Sequence, residues 1–539
     1  MEPVWQKQYN GMPAEVEYSG SIVDMFDQAV VKWGDRPAFH CLHVNLRYSE
    51  VAALSRDFAA YLQQHLGIRK GDRVAVMMPN LLTFPVVSFG IIRTGAIQVS
   101  VNPLYTPREL AHQLNDSGAE TIVIFNGATP TLEAALAETN VRNIITLGLF
   151  DLCDLQGPNP PVAPGVLSGS VALPDVLLAG QKLPFDAPQI SGDDLLFLQY
   201  TGGTTGLSKG AMLSHSNLVS NIAMFEWVVG KYLRSGEEVI ITALPLYHIF
   251  ALMVNFLCYF KHGALNVLIP NARDLPALVA EWSKFRITSL TGVNTLFIGL
   301  MNTPGFDQCD FSELRIAFAG GAPVQVAVSE RWKTFTGVNI CEGLGMSETS
   351  PITATNLLGR ERFGTVGVPM PSTDLSIRDE NGRELGIGEA GEICFRGPQV
   401  MSGYWQRENI NSEVFTDDGY LLTGDIGIVD DDGYLTVVDR KKDMILVSGF
   451  NVFPNEIEAV LAEMDGLLES ACVGVPDEKS GEAIRAVCVR KDPEITEEDI
   501  IAYCRQHLTA YKVPRQIIFT EALPKSTVGK ILRRELREV

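Results

Sequence analysis

The chain reads as an α/β protein in two unequal parts. A large amino-terminal domain of several subdomains has parallel and mixed sheets and a β-rich part, and a small α+β carboxy-terminal domain follows. Three observations lead there. Short Val/Ile-rich runs alternate with amphipathic stretches, the pattern of parallel strands joined by crossover helices. At 539 residues and 46% hydrophobic, the chain exceeds the size at which a single core stops growing. Near Asp417 the composition changes, and a run of Asp and Gly punctuates short hydrophobic pieces.

Taken in order, residues 73–78, 97–101, 121–125 and 143–147 have the β-branched density of buried strands, and 107–117 has helical spacing. A Pro/Gly-rich stretch at 157–169 reads as a surface loop, after which strand character resumes at 195–200. Further strands are expected at 239–243, 265–269, 287–290 and 314–319. The apolar stretch 244–260 is interrupted by Pro245, His248 and Asn255. It falls short of the roughly 20 apolar residues of a membrane span, so it is expected to be a buried loop and helix. The Asp/Gly run at 417–433 is hairpin chemistry. Beyond Arg440-Lys441-Lys442, helices are expected at 454–464 and 496–508, with strands at 472–475, 486–489 and 516–519. A boundary at Lys441 or Lys442 divides the chain into domains 1–440 and 441–539.

Charge narrows the function. With 43 Lys plus Arg against 64 Asp plus Glu, the net charge is -21, which opposes general affinity for nucleic acid. The nine cysteines form no C-x-x-C pair and lie mostly among apolar neighbours, as reduced core thiols of a cytoplasmic protein do. Met1 to Asn10 has no basic stretch leading into an apolar one, so neither a secretory signal nor a transit peptide is expected.

The most informative segment is Tyr200-Thr201-Gly202-Gly203-Thr204-Thr205-Gly206-Leu207-Ser208-Lys209-Gly210, expected between a strand and a helix near Ser216. Its glycines let backbone N–H groups approach phosphate oxygens, its hydroxyls add donors, and Lys209 adds positive charge. It matches neither the Walker pattern nor the dinucleotide pattern G-x-G-x-x-G. A flexible surface loop is the plain alternative, but so biased a composition ending in Lys favours a phosphate cradle.

At this point the sequence resembles the superfamily of adenylate-forming enzymes, which includes acyl-CoA synthetases, luciferase and peptide-synthetase adenylation domains. Four more segments match in the family's order: L-P-L-Y-H at 244–248, G-L-G-M-S-E at 343–348, Y-L-L-T-G-D at 420–425 and P-K-S-T-V-G-K at 524–530. The resemblance therefore covers nearly the whole chain. Within the superfamily, residues 418–442 look like the segment of bacterial long-chain fatty-acyl-CoA synthetases.

The resemblance implies ATP, Mg²⁺ and coenzyme A as cofactor and co-substrates, and a fatty acid as the acyl substrate. It implies that Lys530 bridges the attacking carboxylate and the α-phosphate, that Glu348 and Thr201 hold Mg²⁺, and that His248 stands at the acyl–phosphate junction. Without it, Lys530 would read as part of a solvated basic face, Glu348 as a helix-start residue and His248 as a satisfied core histidine. Gly320, Gly321 and Ala322 would approach the nucleotide and acyl group closely. Glu342, Gly343 and Leu344 would border adenine, with Gly345, Met346 and Ser347 completing that loop. Asp425 and Arg440 would hold the ribose. Lys442 matches the hinge about which a mobile small domain turns, presenting Lys530 in one pose and Ser448-Gly449-Phe450 to CoA in the other.

Two positions depart from the commoner pattern. Leu344 stands where an aromatic usually stacks on adenine, and Gly202 where many relatives have a hydroxyl.

A medium-chain or aryl acyl-CoA ligase shares the motifs, whereas a peptide-synthetase domain needs an acidic group at 244–250 that is missing. A noncatalytic nucleotide-binding regulator would be expected to lack Lys530 or Glu348. Peripheral contact with the inner membrane face and homodimerisation are compatible with the fatty-acid reading.

Overall fold

The computed structural model describes residues 3–153, 167–201, 208–448, 450–477, 479–526 and 529–538. The expected loop at 157–169 lies almost wholly outside the described residues.

The first sheet has seven strands in the order Val171–Ala172, Asn143–Leu147, Thr121–Phe125, Arg73–Met77, Ile97–Val101, Leu195–Thr201 and Lys209–Ser214. All neighbours run parallel except the last pair. Its inner strands are buried on both faces, which is why they read as continuous Val/Ile runs. The helix Pro107–Ser117 has a complete capping box, with Thr106 and Glu109 exchanging bonds, and ends at left-handed Gly118.

The second sheet has nine strands: Val368–Pro369, Ile352–Thr355, Ile340–Gly345, Ile316–Gly320, Ser289–Gly292, Val239–Thr242, Leu265–Leu268, Pro37–Cys41 and Val44–Arg47. It is parallel in the middle and antiparallel at both ends. The strand expected at 287–290 starts two residues late, because pairing begins at Ser289 against Ile316. The stretch 244–260 is a buried loop followed by Ile249–Ala251 in α form, Leu252–Cys258 in π form and Tyr259–Lys261 in α form. The π turn was not legible in the sequence. Its Asn255 is buried in a closed polar network: the side chain bonds Thr242 and Thr291, and its carbonyl accepts from Asn266.

The β-rich part is a four-stranded antiparallel sheet, Asp374–Arg378, Gly391–Arg396, Leu421–Val429 and Leu435–Arg440. The expected hairpin turn is closed by Gly433 N–H donating to the Asp430 carbonyl at 2.9 Å. The small α+β domain has the strands Phe450–Val452, Ile445–Val447, Gly481–Arg490 and Leu467–Asp477, with Gln516–Thr520 parallel to Gly481–Arg490. Helices Pro454–Ala462 and Glu497–His507 match the expected spans to within two residues. Two apolar clusters drawn wholly from residues 445–536 form the cores of this domain.

Eight of the nine cysteines are buried and all are free. Among the described residues, no helix is long and apolar enough to cross a membrane.

Candidate active site

The site lies at the carboxyl ends of the parallel strands, where open α/β sheets bind ligands. Leu195–Thr201 delivers Tyr200 and Thr201 to the edge. The chain returns as the antiparallel strand Lys209–Ser214, with Thr201 opposite Lys209. The strand Lys209–Ser214 thus stands between the expected phosphate cradle and the expected helix, which is His215–Val229. Burial of Gly210, Ala211 and Leu213 makes this a strand despite its Gly and Ser. Gly202, Gly203, Thr204, Thr205, Gly206 and Leu207 lie outside the described residues. Tyr200, at the end of the preceding strand, donates its hydroxyl to Asp116 at 2.7 Å, and Asp116 also pairs with Arg407.

A second strand end, Ile316–Gly320, continues into Gly321 and half-buried Ala322. Gly321 has φ of +82°, and a Cβ there would come within 2.9 Å of Lys530 Cε. Glycine is required on both counts. Leu244, Pro245, His248, Phe250, Val293, Gly320, Gly321 and Lys530 enclose a cavity of about 10 Å³, room for about one water. Two residues of the core hold the loop in front of His248. Asn80 donates to the carbonyls of Thr242 and Leu244 and accepts from Leu246 N–H, while Gln199 donates to the Tyr247 carbonyl at 2.7 Å.

Lys530 enters from the small domain on a hairpin closed by Ser526, whose N–H donates to the Lys530 carbonyl at 2.7 Å. Thr295 of the large domain donates to the Gly529 carbonyl at 3.0 Å. Burial, with Arg440 nearby, brings the Lys530 ammonium down to about 8, against the pull of Asp425 and Glu348. Burial and the Lys530 charge bring His248 down to about 3, so its ring is neutral near pH 7. Asp425 lies opposite Arg440 across two strands, 3.5 Å from its Nε, and burial pushes its carboxyl up. Burial, followed by Arg440, lowers Lys442.

Glu348 is buried on the turn Ser347–Thr349, which packs against both strands of the cradle hairpin. Tyr404 donates to its Oε1 at 2.6 Å, and the Glu348 carbonyl accepts from Met401 N–H. Met346 N–H donates to the Pro351 carbonyl, and a Cβ at Gly345 would stand 2.3 Å from that same oxygen. Glu342 is turned inward: its carboxyl accepts from Val324 N–H at 3.1 Å, and burial pushes it up to about 8. Gly343 is pressed against Phe318 and the Ala354 carbonyl, and Leu344 packs on the core of the four-stranded sheet.

The structure thus gathers His248, Gly320, Gly321 and Lys530 at one cavity, with Asp425, Arg440, Lys442 and Glu348 close enough to act on Lys530. Ser448 and Phe450 are engaged elsewhere in the small domain: Ser448 N–H donates to the Ser480 carbonyl, and Phe450 stacks on Tyr511 at 4.7 Å. Gly449 lies outside the described residues. Asn80, Gln199 and Tyr404 were not found from the sequence, because none belongs to a motif and each acts on a residue far along the chain.

A family model described as AMP-binding enzyme matches residues 26–405, and one described as AMP-binding enzyme C-terminal domain matches 456–530. The chain belongs to the AMP-binding enzyme family. Among its relatives, the long-chain-fatty-acid–CoA ligase of Salmonella typhimurium is 48% identical, covering 100% of this chain and 98% of that protein. The ligase of the same description from Bacillus subtilis is 33% identical over 99% and 97%. Among solved structures, ATP-bound MatB from Rhodopseudomonas palustris superposes with a TM-score of 0.83 at 30% identity, covering 96% of this chain and 99% of that one.

The residues present suit the family's metal. Among the described residues no three His, Cys, Asp or Glu side chains group as a metal cage. Mg²⁺ is ordinarily held by one or two carboxylates together with substrate phosphates, and the buried carboxylate of Glu348 would offer one such oxygen beside the expected cradle.

Proposed function

We propose that this protein activates a long-chain fatty acid with ATP and Mg²⁺ and transfers it to coenzyme A. The observation that carries the reading is the enclosure of Lys530, His248, Gly320 and Gly321 at one cavity, on a chain that aligns end to end with long-chain-fatty-acid–CoA ligases. In the first half-reaction a carboxylate oxygen attacks the α-phosphorus and the bond to pyrophosphate breaks. In the second, the CoA thiol attacks the acyl carbon and AMP leaves.

The chain's own groups account for the first step. Lys530 reaches the cavity as an ammonium held in a low-dielectric wall, where its charge on the carboxylate and α-phosphate counts for most. Gly320 and Gly321 leave room for that approach. Neutral His248 walls the junction without adding a second positive charge. The hydroxyl and backbone donors from Tyr200 to Lys209 receive the phosphates, Asp425 and Arg440 hold the ribose, and Glu342 to Ser347 border the base. Glu348 and Thr201 hold Mg²⁺, which neutralises phosphate charge when bound.

For the second step, 441–539 turns about Lys442 relative to 1–440, withdrawing Lys530 and bringing Ser448, Gly449 and Phe450 to CoA. The exposure of Phe450 supports a surface kept for that use. A long acyl chain partitions into lipid, so a cytoplasmic protein touching the inner membrane face goes with this reading.

The test is thioester formation with AMP release across acids from acetate to oleate. Affinity should rise from C8 to C16, each buried CH₂ adding up to about 0.8 kcal/mol. A preference for acetate or an aromatic acid overturns the long-chain assignment.

A further inference from the structure

Tyr404 touches two parts of the site at once. Its hydroxyl donates to Oε1 of Glu348 at 2.6 Å, and its ring lies 4.8 Å from the Lys209 ammonium. Its own place is fixed. Asn411 accepts from Tyr404 N–H at 2.7 Å and donates to the Tyr404 carbonyl at 3.1 Å. The flanking backbone is stitched to the hairpin that carries the cradle: Met212 N–H donates to Gly403, and Trp405 N–H donates to Gly210. Three residues before Tyr404, Met401 N–H donates to the Glu348 carbonyl at 2.7 Å. A short segment thus ties the carboxylate, its backbone and the edge of the cradle into one unit.

We propose that Tyr404 is a positioning residue for adenylation, holding the Glu348 carboxylate so that Oε2 faces the magnesium of bound ATP while its ring seats Lys209. This rests on the reading of Glu348 as the magnesium ligand. A carboxylate has two equivalent oxygens and a soft terminal torsion, so one bonded oxygen selects which edge is offered. Among the described residues no hydrogen bond reaches Oε2. Outer partners of metal ligands typically control affinity by 10–100-fold.

The test uses the full-length enzyme with ATP and no fatty acid, so that nothing turns over, and follows ATP binding by calorimetry as Mg²⁺ is varied. Tyr404→Phe keeps the ring and removes only the hydroxyl. It should raise the Mg²⁺ needed for half-maximal binding about tenfold, with ATP binding in the absence of metal unchanged. Asn411→Ala, which frees the Tyr404 backbone, should give a smaller shift in the same direction and carries the test if Tyr404→Phe does not fold. In pyrophosphate exchange, the Mg²⁺ requirement of Tyr404→Phe should rise while the rate at saturating Mg²⁺ changes much less; an equal loss in both would mark a merely structural role and overturn the proposal. Glu348→Gln separates the two ideas. If Glu348→Gln shifts the Mg²⁺ dependence and the Tyr404 and Asn411 variants do not, the Tyr404 proposal fails alone. If none of the three shifts it, the assignment of Glu348 fails and takes the proposal with it.

Discussion

The two sides of the cavity are held in different ways. On the large-domain side, Gly320 ends a fully buried strand, Glu348 is fixed through both its side chain and its backbone, and Asn80 and Gln199 bind the His248 loop from the core. On the small-domain side, Lys530 comes in on a hairpin whose backbone bonds close upon itself, with Thr295 to Gly529 as its hydrogen bond to the opposite wall. A nucleotide site needs donors that stay fixed while charge develops. A lysine needed for only one of two chemistries is better placed on an element that can leave.

The strongest way to break this comparison is to remove the lysine. Lys530→Ala should cost adenylation 10²–10³-fold, on the scale of deleting one transition-state donor, while supplied acyl-AMP is still converted by CoA to thioester. Lys442→Pro, which fixes φ near -65° at the proposed hinge, should show the reverse order of damage. Equal losses in both half-reactions, measured separately after circular dichroism, would mean that the lysine side is as fixed as the floor.

The next test fills the gap between the two sides. Gly321→Ala adds a Cβ 2.9 Å from Lys530 Cε at a φ of +82°, so the side chain must shift or the backbone must strain by about 1–2 kcal/mol. Pyrophosphate exchange should fall about tenfold with a smaller loss of thermal stability. A stability loss with exchange unchanged would place the Lys530 tip elsewhere during the reaction.

pH sharpens the comparison further. The Lys530 ammonium is lowered to about 8 by burial, so the active, charged form is present below that value and is lost above it. The kcat/KM for adenylation, which reports the free enzyme, should therefore fall as pH rises through about 8. His248, lowered to about 3, contributes no inflection near neutrality. Lys530→Arg keeps its charge and should abolish the alkaline limb, whatever its rate.

The smallest effect expected is from Thr295→Val, which removes the hydrogen bond to Gly529. At about 1 kcal/mol, exchange should slow roughly fivefold, with the thioester step from supplied acyl-AMP unaffected.

Much of this was legible in the sequence, for identifiable reasons. The strands at Ile97–Val101, Thr121–Phe125 and Asn143–Leu147 appeared as β-branched runs because parallel strands are covered on both faces. Lys209–Ser214 did not, since Gly210 and Ser214 weaken its pattern and its burial comes from tertiary neighbours. The π form of Leu252–Cys258 leaves no mark in an unbroken apolar run. Motif residues such as Lys530 and Gly321 could be named because a resemblance marked their positions. Asn80, Gln199 and Tyr404 act across 166, 48 and 56 residues of chain, respectively, and such pairings exist only once the sheets are assembled.

The most direct test of the central claim is exchange of labelled pyrophosphate into ATP with Mg²⁺ and a long-chain fatty acid, in the absence of CoA. The arrangement around Lys530 predicts exchange that requires the fatty acid and disappears in Lys530→Ala. Release of ADP and phosphate, or exchange that appears only when CoA is added, would contradict an adenylate formed at this site.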